Sequence, residues 1–195
     1  MYQQILLAVA LQDWDAFSPH AVAAREAAVA LARGSGAKLL VLSVYDYGPE
    51  EPGVPLELAS QSGAEVVRQL EAARQRRAAH IRQLDAQMET KMQAFLAGVP
   101  THELPITPLL KVGDPRQLIV ATAEALGVDL VVIGAHSQRS FLDILLGGTA
   151  TAVSRHAPCA VVLVQPGEKR PLVRAAEGGT LSRLLDQGSQ PEGVR

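Results

Sequence analysis

One cysteine, Cys159, stands in a chain of 195 residues. That excludes an internal disulfide framework and any cluster of thiolate metal ligands. Aromatic residues are scarce, at 4%. Neither sign of charge dominates: eighteen Lys and Arg stand against twenty Asp and Glu, a formal charge of -2. Such a balance gives no general attraction to nucleic acid or to an anionic membrane. The longest apolar run near the start is Ile5 to Leu11, too short to span a bilayer and without the basic flank of a signal peptide. No Gly-x-x-x-x-Gly-Lys phosphate loop occurs, and Gly34-Ser35-Gly36 lies between a helix and a strand, the reverse of a dinucleotide fingerprint. What remains is a soluble, cytoplasmic protein. Its apolar content of 48% suits one sizeable core with some spare length.

Ile5 to Leu11 has the length and continuous apolarity of a strand buried on both faces. Ser18-Pro19 reads as a helix N-cap followed by proline at the first helical position. The Ala-rich stretch His20 to Arg33 carries that helix, with Gly34 as its stop, and Lys38 to Tyr45 is a second buried strand. Strand, helix and strand in this order predict a parallel sheet covered on both faces. Asp46 to Gly63 is a Pro- and Gly-rich loop. Ala64 to Ala97 holds no Gly or Pro and predicts one long helix, more than a compact α/β domain needs, so part of it projects or packs on a partner. His102 to Val112 contains a third strand, and Pro108 within it predicts a sheet edge. Asp114-Pro115 repeats the cap signal and opens a helix ended by Gly127. Asp129 to Ile133 is a fourth strand, Thr149 to His156 a short helix, and Cys159 to Val164 a fifth strand. The fold expected is a doubly wound five-stranded parallel sheet with helices on both faces, occupying residues 1–165. Residues 166–195 are expected as a tail, disordered or docked as one short helix.

Ligands of open parallel sheets bind beyond the carboxyl ends of the strands, where the strand order reverses. The loop after the fourth strand is therefore the informative one. It runs Gly134-Ala135-His136-Ser137-Gln138-Arg139-Ser140, through Phe141 to Leu146, to Gly147-Gly148-Thr149 at the start of a helix. Uncrowded backbone N–H groups at a helix N-terminus form an anion site. Thr149 would add a hydroxyl, and Arg139 or His136 a charge-assisted bond. The alternative is a pair of ordinary turns.

These motifs resemble the universal stress protein family. Its nucleotide-binding branch has Gly, two residues, Gly, nine residues, Gly, then Ser or Thr. Here that reads Gly134, Ser137, Gly147, with Gly148 in the hydroxyl position and Thr149 one later. Ile5-Leu6-Leu7-Ala8-Val9 looks like the opening strand, Val112-Gly113-Asp114-Pro115 like the turn into the third helix, and Asp129 to Gly134 with His156 to Val164 like the last two strands. The resemblance runs from Tyr2 to about Gln165. It implies a Rossmann-like fold of the adenine nucleotide alpha hydrolase type and a bound ATP or AMP, with or without Mg2+. The adenine is then expected near Val9, Ala10, Val44 and Ile133, and the phosphates near Gly134, His136, Ser137, Arg139, Gly147, Gly148 and Thr149. It also implies a homodimer formed through the last strand, Cys159 to Val164. The chain departs from the pattern in three places. Ala10 stands where the family has a nucleoside-binding Asp, leaving Asp13 or Asp15 to substitute only if their loop folds back; Ser137 replaces a glycine; and Gly148 replaces a hydroxyl.

The histidines His20, His80, His102, His136 and His156 show no metal-ligand spacing, and no acidic pair has the arrangement of a general acid and base. Cys159 opens a buried strand and reads as a small core residue. The long helix carries Arg68, Arg74, Arg76, Arg77, Arg82 and Lys91 against Glu65, Glu71, Asp85 and Glu89. This is a solvated face or a basic patch for an acidic protein partner; no aromatics interleave for nucleic-acid stacking. The functional expectation is a stress-response sensor that holds ATP without turning it over. The rivals are a nucleotide-free dimeric interaction module and a slow ATPase or self-phosphorylating protein.

Overall fold

The structure, a computed structural model, describes residues 1–12, 16–49, 63–99, 104–135, 137–140, 143–167 and 172–174. The elements run β1 (Gln4–Val9), α1 (Pro19–Ser35), β2 (Lys38–Tyr45), α2 (Gly63–Leu96), β3 (Ile106–Val112), α3 (Pro115–Ala125), β4 (Leu130–Gly134), β5 (Ser137–Ser140), β6 (Asp143–Leu146), α4 (Gly148–His156), β7 (Ala160–Val164) and β8 (Leu172–Arg174).

Period-2 alternation divides the apolar strand residues between two cores. Ile5, Leu7, Leu39, Val41, Leu130 and Val132 pack against α1 and the end of α2. Leu6, Ala8, Leu40, Leu42, Val131 and Ile133 pack against α3 and α4. The main sheet has the order β3-β2-β1-β4-β7-β8, and its first five strands are parallel. The chain grows outward from β1 to β3, then returns to the other side of β1 with β4. The reversal therefore lies between β1 and β4, which align Ala8 with Ile133. Pro108 sits on β3, an edge strand, where its missing N–H faces no neighbour.

The caps act as their sequence suggests. Ser18 accepts from Ala21 N–H at the start of α1, and Asp114 from Arg116 N–H at the start of α3, each with proline at the first turn. The stop of α1 is Gly36, at φ 72°, rather than Gly34, which continues the helix. Only Gly36 lies in the left-handed region that closes the last turn onto Ala32 and Arg33 carbonyls.

Helix α2 is 34 residues long, about 51 Å at 1.5 Å per residue. Its buried side chains, Met88, Met92 and Phe95, all lie in the last third, while Val67 near its start is 54% exposed. Phe95 closes the seam, edge-on to Phe17 and under the Arg25 guanidinium, which also donates to the Phe95 carbonyl at 2.6 Å. Several charges read as a solvated face are anchors instead. Asp85 accepts from the hydroxyls of Tyr45 (2.8 Å) and Tyr47 (3.1 Å). Burial and that carboxylate together push the Tyr45 phenol well above its ordinary pKa. Lys91 Nζ donates to the Gln12 carbonyl at 2.8 Å, and Arg77 to the carbonyls of Tyr47 (2.7 Å) and Gly48 (3.2 Å).

Two expectations need correction. The segment between Gly134 and Gly147, read as a loop in which two small-residue turns flank an apolar stretch, contains an antiparallel hairpin, β5 with β6. Beyond residue 165 the chain supplies a further strand: β8 pairs antiparallel with β7, setting Val161 against Arg174 and Leu163 against Leu172. The outer edge of Ala160–Val164 is thus covered within the chain, where an open edge awaiting a second copy was expected. Residues 50–62 and 175–195, to which the loop and most of the tail were assigned, lie outside the described residues.

Candidate functional site

Three helix N-termini approach the carboxyl ends of β1, β2 and β4, and the space between them is a cleft of about 370 Å³. That volume is in the range of small-molecule sites. Val9, Ala10, Val44, Ile133, Gly134, Gly147, Gly148 and Thr149, all expected there, line it together. Ser137 and Arg139 lie on β5, the first strand of the hairpin that connects Gly134 to Gly147. His136, Asp13 and Asp15 lie outside the described residues.

The apolar wall follows from strand alternation. Leu42 and Val44 of β2, Ala8 of β1 and Ile133 of β4 share one face and present carbon to the cleft. The polar wall comes from the helix starts. In α1 and α3 a side chain satisfies a first-turn N–H, whereas the N-cap of α4 is Gly147, which has no side chain to offer. The first intrahelical bond of α4 runs from Thr151 N–H to the Gly147 carbonyl. The amides of Gly148, Thr149 and Ala150 precede that bond and carry the positive end of the helix dipole. A cation stands beside them: a Cβ on Gly148 would lie 3.6 Å from Arg116 Nη2. Arg116 reaches there from the first turn of α3, and it forms no ion pair with a described residue.

The two glycines of the motif differ in what they do. A Cβ on Gly134 would lie 2.8 Å from the His20 carbonyl oxygen, so this glycine lets β4 pass under the start of α1. A Cβ on Gly147 would meet nothing within 4 Å.

Several lining residues were not among those expected at the site: Gln12, Ser18, His20, Asp46, Gly113 and Pro115. Gly113 is held at φ 142° with its N–H donating to the Tyr45 carbonyl at 2.9 Å, which ties the end of β3 to the end of β2. The signal for Asp46 was available: it follows β2 directly, at a carboxyl strand end like those of β1 and β4. Among the described residues no group of three or more His, Cys, Asp or Glu is placed to hold a metal. Cys159 packs against the α3 and α4 core, and burial, with the charge of Asp129, pushes its thiol pKa up. A raised pKa disfavours the nucleophilic thiolate. No helix among the described residues is long and apolar enough to cross a membrane.

The sheet order and the cleft at its switch point place the chain among the doubly wound α/β proteins. The profile described as the universal stress protein family matches residues 1–165, and the chain belongs to that family. A universal stress protein of Thermus aquaticus is 30% identical over 166 residues, covering 85% of this chain and 100% of the relative. A universal stress protein A homologue of Coxiella burnetii is 39% identical over 57 residues, 29% of this chain and 38% of its own. Among solved structures, a universal stress protein from Lactobacillus plantarum superposes with a TM-score of 0.53 at 24% identity, covering 84% of this chain and 97% of that one.

Proposed function

We propose that this protein is a cytoplasmic stress-response sensor that binds an adenine nucleotide, ATP foremost, and acts through binding rather than turnover. The observation that carries the reading is the pairing, in one cleft, of an apolar wall with a helix N-terminus that lacks a side-chain cap and has Arg116 beside it. Val44 and Ile133 offer a surface for a purine. The amides of Gly148 to Ala150, the Thr149 hydroxyl and Arg116 offer donors for phosphates, with Mg2+ entering on the triphosphate. Because Gly134 and Gly147 flank the β5–β6 hairpin, a ligand held between them biases how that hairpin is presented to a partner protein.

Isothermal titration with MgATP tests this reading. Saturable micromolar binding, lost in Gly147→Arg, is the expected result; a folded, ligand-stripped protein that gives no heat up to millimolar ATP overturns it. In that second case the rival is the nucleotide-free interaction module, which the loss of a strand-one carboxylate at Ala10 favours.

Dimerisation through β7 belongs to the same proposal with an added condition. Because β8 occupies that edge, a second copy pairs there only after β8 withdraws or exchanges between copies. Sedimentation of the chain ended after Gly167 checks this: the shortened chain dimerises more readily than the whole one.

A further inference from the structure

Ala10 leaves β1 without a side chain able to hold a sugar hydroxyl, yet the cleft contains a carboxylate on the neighbouring strand end. We propose that Asp46 reads the ribose of the bound nucleotide, accepting from its vicinal hydroxyls and giving the site a preference for ribonucleotides over deoxyribonucleotides. The inference rests on the nucleotide reading above.

Alternation puts Asp46 on the same face as Leu42 and Val44, and all three line the cleft. Its backbone is fixed from the segment that follows β1: Gln12 Nε2 donates to the Asp46 carbonyl at 2.7 Å, and Asp46 N–H donates to Gln12 Oε1 at 3.0 Å. Its side chain is fixed as well, because Oδ1 accepts from Gly48 N–H at 2.7 Å in a two-residue turn. No described residue donates to Oδ2. Helix α2 holds both flanking segments, through Lys91 on the Gln12 carbonyl and Arg77 on the carbonyls of Tyr47 and Gly48. A carboxylate held in this way loses little side-chain freedom on accepting a ligand.

The position has a chemical logic. In doubly wound nucleotide folds an acidic residue beyond the phosphate-binding turn takes the ribose hydroxyls, because a carboxylate accepts from two neighbouring O–H groups at once. Across the order β2-β1-β4 two strand spacings, about 10 Å, separate the Asp46 end of the cleft from the β4 end. That leaves room for a sugar between a carboxylate and a phosphate site.

The test compares ATP with 2′-deoxy-ATP by titration, on the whole protein and on Asp46→Asn. Asparagine keeps an oxygen for Gly48 N–H, so the turn survives, but it then turns an NH2 donor toward the sugar. The expected result is about tenfold tighter binding of ATP than of 2′-deoxy-ATP by the unchanged protein. In Asp46→Asn the ATP affinity falls by about a hundredfold, because both hydroxyl bonds are lost, the 2′-deoxy-ATP affinity falls only by the share of its 3′-hydroxyl bond, about tenfold, and the ratio approaches one. The unchanged protein alone can overturn the proposal, by binding the two ligands equally. So can a variant that keeps the ratio, or one that weakens both ligands equally, which would assign Asp46 to the base or to the fold. In each of those outcomes ATP still binds and the nucleotide reading stands. Failure of ATP to bind the unchanged protein removes both.

Discussion

Gly134 and Gly147 belong to one motif and border one cleft, but they answer to different constraints. Gly134 sits against the carbonyl of His20, where a Cβ would come within 2.8 Å of the oxygen. Gly147 caps α4 with open space where its Cβ would be. The first glycine lets a strand and a helix approach each other; the second leaves the first amides of α4 without a side-chain cap. A spacing motif therefore mixes positions that packing requires with positions that stand open, and only the three-dimensional neighbours separate them.

Substitutions at the two positions should part accordingly. Gly134→Val is expected to destabilise the fold by about 3 kcal/mol, the upper end for overpacking a filled space. On thermal unfolding that appears as a fall of roughly 6–12 °C in Tm. An unchanged Tm would mean that the contact with His20 relaxes freely and the comparison fails. Gly147→Arg is expected to leave Tm unchanged while weakening ATP by about a hundredfold, the loss of two charge-assisted phosphate bonds. Should its Tm fall with the affinity, Gly147 would join Gly134 as a packing residue.

Arg116 refines the binding half of the contrast. It stands beside Gly148 but is absent from the cleft lining itself, so in the proposed complex it would meet the outer phosphates rather than the inner one. Arg116→Ala should weaken ATP by about tenfold and leave AMP nearly unaffected. Equal losses for both nucleotides would move its role inward.

The smallest effect lies at the opposite end of the strands, far from any ligand. Asp129 Oδ2 accepts from the amides of Gln3 (2.7 Å) and Gln4 (2.8 Å), and these bonds hold its carboxyl below the usual range. The unfolded group titrates near about pH 3.9. Its contribution is therefore complete above that pH and lost as pH falls through the lower folded value. Because the group is exposed, Asp129→Asn should cost only about 1 kcal/mol at pH 7. In acid unfolding followed by circular dichroism, the difference from the unchanged protein should shrink below about pH 4. A difference constant across that range would exclude Asp129 from the acid response.

Much of the fold was legible along the chain. Ser18-Pro19 and Asp114-Pro115 announce helix starts, Pro108 announces an edge, and the unbroken apolar runs announce strands covered on both faces. The glycine-rich start of α4 was legible for the same reason: an N-terminal amide needs only small local neighbours to be open. The stop of α1 at Gly36 rather than Gly34 was not, because either glycine tolerates the left-handed turn and packing selects one. Asp46 looked like the first residue of a loop, and no local pattern singled out Arg116.

The sequence by itself determined the alternation of strands and helices, the two-faced burial of the sheet and the family to which the chain belongs. Those properties depend on periodicity and caps, which are written in residues a few positions apart. Tertiary structure decided the rest. It set Asp46 beside Gln12, 34 residues away in the chain, and brought Arg116 to Gly148. It gave Gly134 to packing and Gly147 to the cleft, and it closed the β7 edge with β8. Each of these follows from the order in which strands join the sheet, because that order, and not distance along the chain, fixes which strand ends and helix starts meet.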